Sequence, residues 1–136
     1  MEKLPKVAFV CTHNSCRSQI AEAIAAHLAD DVFESFSAGT EIKESIDGDA
    51  ARTVKRLYGI DIDESQRPKT LAEIPPVDIV VTMGCGVRCP SLPCSHREDW
   101  DLDDPTGKGD EAFAAVAESI HRKVLDLKTR ISKGGW

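Results

Sequence analysis

The chain has 136 residues, a formal net charge of −6, and a composition that is 41% hydrophobic and 29% charged. That length suits one domain, spanning 1–136, with a core large enough to stand without disulfide support. The acidic balance argues against a general nucleic-acid binder, which needs clustered lysine and arginine, and no apolar run reaches the length of a membrane span.

"KVAFVC" (6–11) is a short apolar run rich in strand formers, as expected of a strand buried on both faces. Polar "THNSCRS" follows, and "SQIAEAIAAHLAD" then places Ile20, Ala23, Ile24 and Leu28 at helical spacing with no glycine or proline to interrupt them. "VFESFSAG" (32–39) reads as a second strand. "DGDAARTVKRLYG" reads as a second helix, with Asp47 or Asp49 as its cap and Gly59 as its stop. "VDIVVTM" (77–83) is the strongest strand signal. The Gly-, Pro-, Asp- and Cys-rich stretch after it reads mainly as loop, with a short strand around Glu98 to Leu102. From Glu111 to Ile131 one apolar face persists through Phe113, Val116, Ala117, Ile120, Val124 and Leu127, which predicts a long docking helix.

Apolar strands alternating with helices predict a parallel sheet flanked by helices, whose ligands bind beyond the carboxyl ends of the strands. Cys11 ends the first strand, where that rule puts chemistry. Five small or polar residues separate it from Arg17 in a C-x5-R pattern, and the loop runs straight into a helix N-terminus. Such a loop can hold an oxyanion on inward N–H groups and a bidentate guanidinium, and the same field favours a thiolate at Cys11. The five cysteines sit in a chain whose opening "MEKLPKVAFVCTHNS" does not read as a signal peptide. The expected compartment is the cytoplasm, where cysteines are catalytic, metal-binding or buried more often than they are a disulfide framework.

"CTHNSCRSQIAEA" resembles the phosphate-binding loop of the low-molecular-weight protein tyrosine phosphatases, and more closely that of the arsenate reductases built on the same fold. "SAGTE" (37–41), "DIVVTMG" (78–84) and "EDWDLDDPTGK" (98–108) match in the same order. The resemblance implies a three-layer α/β fold with a four-stranded parallel sheet. Cys11 would be the nucleophile, Arg17 the oxyanion clamp, and Thr12, His13, Asn14, Ser15, Cys16 and Ser18 the rest of the anion-binding loop. Ser18 would support the thiolate, Asn14 would hold an unusual backbone conformation, and Cys16 would be a packed thiol. His13 departs from the family's usual small residue.

An Asp-Asp-Pro alone reads as a turn ahead of a helix; the resemblance instead makes Asp104 a general acid to the departing oxygen. Phosphatases of this fold carry aromatic residues after Asp-Pro, whereas this chain has Thr106, Gly107 and Lys108, with Tyr58 its only tyrosine. A pocket without aromatic walls suits a small inorganic oxyanion, so arsenate is the expected substrate, with phosphate or sulfate as analogues.

Arsenate reduction needs a second thiol, and "MGCGVRCPSLPCSH" supplies Cys85, Cys89 and Cys94. By resemblance, Cys85 and Cys89 form a relay that takes over the Cys11 adduct and passes a disulfide to thioredoxin; an external thiol is the alternative resolving group. The implied reductant is thioredoxin, glutaredoxin with glutathione, or a mycothiol system, with no bound cofactor and a monomeric chain. Two competing readings stay open. Cys85, Cys89, Cys94 and His96 could hold structural zinc, though their spacing is looser than paired C-x2-C knuckles. Some relatives bind potassium near the loop; Asn14, Glu22 and Ser37 match that site, but the carboxylate expected from the region after "GIDI" has no match at its place, where this chain reads "DESQRPK". The functional alternative is a low-molecular-weight tyrosine phosphatase, which needs only Cys11, Arg17 and Asp104.

Overall fold

Lys6–Cys11 forms strand β1, whose Val7, Phe9 and Cys11 face one side of the sheet while Ala8 and Val10 face the other. The computed structural model describes residues 4–84 and 94–134. Within them the elements run β1, α1 (Arg17–Leu28), β2 (Glu34–Gly39), α2 (Gly48–Tyr58), α3 (Ile62–Ser65), a 3-10 turn at Leu71–Glu73, β3 (Ile79–Thr82), β4 (His96–Asp99) and α4 (Asp110–Ser132).

The four strands are all parallel, in the order β2-β1-β3-β4. β1 pairs with β2 on one flank, ending at Cys11 opposite Gly39, and with β3 on the other, where Val10 lies opposite Thr82. The chain therefore leaves the centre of the sheet at Cys11, between neighbours that lie on opposite flanks. A crevice opens beyond the strand ends at such a switch point.

Helices α1, α2 and α4 share one apolar cluster with Val7, Phe9, Ile79, Val81 and Met83. Its fully buried members include Ile20, Ile24, Phe33, Phe113, Ile120 and Leu127. Trp100 also enters this cluster and packs its ring at 5.4 Å from that of Phe9. Among the described residues the opposite face is smaller: Ala8, Val10 and Val80 meet Val77, Leu71, Ile74, Phe36 and Cys94.

Local chemistry explains the helix ends. Asp47 caps α2 by accepting the N–H groups of Asp49 and Ala50, and Gly59 closes it at φ 71°. The fourth strand lies at His96–Asp99, upstream of the predicted Glu98–Leu102. Its sequence, HRED, is entirely polar, so apolar periodicity could not locate it. It is held instead by Glu98, which accepts from both terminal nitrogens of Arg130 on α4 (2.7 and 2.9 Å), from the Trp100 indole (2.6 Å), and meets His96 at 2.8 Å. Arg130 is the main reason the Glu98 carboxyl is lowered to about 2, against the opposing pull of its partial burial.

Candidate active site

Between Cys11 and Arg17 the chain makes a loop whose carbonyls are all engaged on its outer side. Thr12 O accepts from Glu41 N (2.8 Å), His13 O from Lys43 N (3.2 Å) and Ser15 O from Asp47 N (2.8 Å). Asn14 O accepts from Gln19 Nε2 at 3.0 Å. No described peptide bond is cis. In a trans peptide the N–H points opposite to the C=O, so the N–H groups of residues 13–16 turn away from these partners and toward the hollow of the loop. The helix that follows adds donors of its own. Cys16, at the N-cap of α1, makes no side-chain cap bond, and the first turn carries no acidic residue. That helix end keeps both its unclaimed N–H groups and its positive potential.

The hollow is a cavity of about 280 Å³ lined by Cys11, Thr12, His13, Ser15, Cys16, Arg17, Lys43, Asp104 and Thr106. Arg17 is only 6% exposed. Its Nη1 is anchored by two carbonyls, Met83 O at 3.0 Å and Leu102 O at 2.7 Å. Nη2 lies 3.9 Å from Asp104 Oδ2, and Nε is buried with no protein partner among the described residues. Nε–H and Nη2–H point the same way from one edge of a guanidinium, the edge that grips an oxyanion in bidentate fashion. With Nη1 tied back, that edge is the one Arg17 has to offer. A buried guanidinium so arranged calls for an anion.

Cys11 Sγ lies 2.8 Å from Ser18 Oγ. Asn14 Nδ2 donates to the same Ser18 oxygen at 2.8 Å, and Asn14 Oδ1 accepts from Gln19 Nε2 (3.0 Å) and from Lys69 N (2.8 Å). Because the amide orientation is fixed at its oxygen end, Ser18 receives a donor on its oxygen, and its own hydrogen is available to the sulfur when Cys11 is a thiolate. Asn14 adopts φ 49°, a left-handed conformation that asparagine tolerates better than most residues. Cys16 has the opposite environment. Burial first, and then the charges of Asp47 and Asp104, push its thiol up to about 12, so it stays protonated at neutral pH. Of the two loop cysteines, only Cys11 has a hydroxyl partner tuned by a fixed amide.

Asp104 sits at the exposed lip. Its partial burial would raise the carboxyl, but the Thr106 hydroxyl (2.7 Å) and N–H (3.0 Å), with the charges of Arg17 and Lys108, outweigh this and hold it below the ordinary range. Glu22 accepts a hydrogen bond from the Ser37 hydroxyl and meets the Lys69 ammonium at 3.4 Å; that ammonium also donates to Arg67 O at 3.0 Å. Of the three residues that match the potassium pattern, Glu22 thus meets a lysine cation, Ser37 donates to Glu22, and Asn14 spends its side chain on the loop.

Several contributors went unread in the sequence: Gly39, Lys43, Thr106, and the pair Gln19 and Lys69 that orients Asn14. A methyl group on Gly39 would lie 2.7 Å from Thr12 O and 3.0 Å from both Asn14 N and Asn14 Cβ, so the loop rests directly on this glycine. Gln19, a polar residue beside the apolar Ile20 and Ala23 of the predicted helix, was an available signal. Cys85 and Cys89 lie outside the described residues. Of the zinc quartet, Cys94 packs on the smaller apolar cluster and His96 is engaged by Glu98.

Comparison with known proteins places these features in context. The profile of the low molecular weight phosphotyrosine protein phosphatases matches residues 6–135. An arsenate reductase of Staphylococcus aureus (strain Newman) is 34% identical over 130 residues, covering 91% of this chain and 96% of that one. A solved arsenate reductase in its phosphate-binding state superposes with a TM-score of 0.84 at 33% identity, over 94% of this chain and 99% of the other. A thioredoxin-dependent arsenate reductase of Corynebacterium glutamicum matches with a TM-score of 0.77 at 29% identity, over 98% of this chain and 64% of its own.

Proposed function

The chain belongs to the low molecular weight phosphotyrosine protein phosphatase family, and from that premise we infer that it is an arsenate reductase. The observation that carries the reading is the cavity itself. A buried guanidinium edge and a ring of N–H groups surround a cysteine, and among the described residues none of those lining the cavity is Phe, Tyr or Trp. Such a seat fits a bare tetrahedral oxyanion and offers no wall for a phenyl ring.

In this reading the loop amides and Arg17 bind arsenate with one oxygen directed away from Cys11. The Cys11 thiolate attacks arsenic, a sulfur–arsenic bond forms, and the opposite oxygen leaves as water after taking a proton. Asp104 is the donor. It is a carboxylate in the empty site, and an anion on Arg17 cancels the guanidinium charge that helped hold its proton off, so binding primes it. A second thiolate then attacks the Cys11 sulfur. The sulfur–arsenic bond breaks, its electron pair stays with arsenic as arsenite, and the two sulfurs are left as a disulfide. Arsenic gains two electrons and the two thiols lose them.

Cys85 and Cys89 are the proposed relay thiols, and a thioredoxin-like reductant the proposed partner that restores them; glutaredoxin–glutathione and mycothiol are the other reductants to be compared. The test is arsenite formation by purified protein with each reductant in turn, alongside hydrolysis of a phosphotyrosine peptide. Cys11→Ser is expected to abolish arsenite formation. Cys85→Ser or Cys89→Ser should abolish turnover while leaving slow hydrolysis of p-nitrophenyl phosphate, which needs no second thiol. Efficient turnover of the phosphopeptide with arsenate untouched would establish the phosphatase reading instead.

A further inference from the structure

The anion-binding features described so far are indifferent to which oxyanion arrives. Inward N–H groups, the Arg17 edge, the Lys43 ammonium and the open end of α1 all stabilise negative charge on oxygen. At about pH 8 phosphate, arsenate and sulfate are all dianions, so these groups should hold them with similar strength. One difference remains between them: phosphate and arsenate still carry an O–H, and sulfate does not. Only a hydrogen-bond acceptor in the cavity can use that difference.

Besides the hydroxyls and the cysteine sulfurs, two described side chains in the lining bring acceptors. Asp104 is largely committed, since Thr106 places both its N–H and its hydroxyl on Oδ1, and Oδ2 faces Arg17. His13 is different. Its Nδ1 lies 2.8 Å from the carbonyl oxygen of Glu41. A carbonyl can only accept, so Nδ1 carries the hydrogen, and in the neutral ring Nε2 is then a bare lone pair. No described residue takes that nitrogen, and His13 is among the residues that line the cavity. The ring's placement is also built in, because Glu41 N and Lys43 N bind the carbonyls on either side of it, those of Thr12 and His13.

We propose that His13 is the specificity-determining residue of this site: with Nδ1 pinned to Glu41, its Nε2 accepts the O–H of a singly protonated tetrahedral oxyanion and turns away sulfate. The inference rests on reading the cavity as an oxyanion seat, and it does not depend on arsenate being reduced there. Sulfate would oppose a lone pair to a lone pair, whereas hydrogen phosphate or hydrogen arsenate would make a bond to the same nitrogen.

The experiment is calorimetric titration of the reduced protein with phosphate and with sulfate at about pH 8. Wild type, His13→Ala, His13→Phe and Lys43→Ala are compared. Phosphate should bind wild type about tenfold more tightly than sulfate, the scale of one hydrogen bond gained against one repulsion. Both His13 variants should bring the two affinities to within about twofold of each other; the phenylalanine keeps the ring's bulk, so loss of shape is not the cause. Lys43→Ala should weaken both anions alike and preserve the ratio. A preference for phosphate that survives in both His13 variants would assign selection to Asp104 and overturn the proposal, as would an equal loss of both anions. Failure of wild type to bind either anion would overturn the oxyanion seat itself, and a failure of arsenate reduction leaves the ratio intact.

Discussion

Replacing Gly39 by alanine probes how the loop is held in place. The added methyl would lie 2.7 Å from Thr12 O and 3.0 Å from Asn14 N and Asn14 Cβ. Comfortable contacts begin near 3.5 Å, so roughly half an ångström or more must be yielded. β2 is the stiffer side. Gly39 stands in register with Cys11 and donates its N–H to Lys69 O at 2.8 Å, which leaves residues 12–14 to move. Gly39 does not have a positive φ, so no backbone strain adds to the steric term. Overpacking of this kind costs about 1–3 kcal/mol. Because residues 13 and 14 supply N–H groups to the anion seat, much of that cost should appear as lost affinity. Phosphate binding is expected to weaken by about tenfold or more, each tenfold being about 1.4 kcal/mol. Calorimetric titration of the reduced variant measures the affinity, and urea unfolding measures the share taken by global stability. A variant that binds phosphate as tightly as the parent would refute the argument that this contact sets the loop.

Arg17→Lys removes both the paired carbonyl anchors and the bidentate edge, and arsenate reduction should fall by about 10²–10³-fold under saturating reductant. Asp104→Asn keeps the side chain's volume but not its proton; adduct formation should slow by about 10²-fold in a single-turnover assay while phosphate still binds. Glu98 gives a pH prediction. Its folded value, about 2, lies below its ordinary 4.5, so its contribution is complete above about pH 4.5 and is lost as pH falls toward 2. The shift corresponds to a ceiling of about 3 kcal/mol, reduced to about 1–2 kcal/mol by solvent screening at this partly exposed network. Urea midpoints measured at pH 5 and pH 3 should converge for wild type and Glu98→Gln as the acid form takes over; an undiminished gap would remove Glu98 as the cause.

The sequence determined a good deal of this protein by itself. β1, β3, α1, α2 and α4 were legible because burial on both faces gives a strand a continuous apolar run, as in "VDIVVTM", and burial of one face gives a helix a 3.6-residue period, as along Phe113 to Ile131. The C-x5-R loop was legible because its small residues, flanking strand and following helix lie within one local stretch. Asp47 and Gly59 announced the ends of α2 by side-chain and backbone chemistry that needs no distant partner. β4 was misplaced because its HRED segment has no apolar alternation; a network with Arg130 and Trp100 secures it. Only the tertiary structure decided how the loop functions. Segment 41–47 draws the carbonyls outward, Met83 and Leu102 fix the free edge of Arg17, and Lys69 with Gln19 orients the amide that orients Ser18. Those bonds join residues up to 85 positions apart in the chain. A cysteine and an arginine with five residues between them name the reagents, but the direction in which each hydrogen points is set by neighbours that only folding brings beside them.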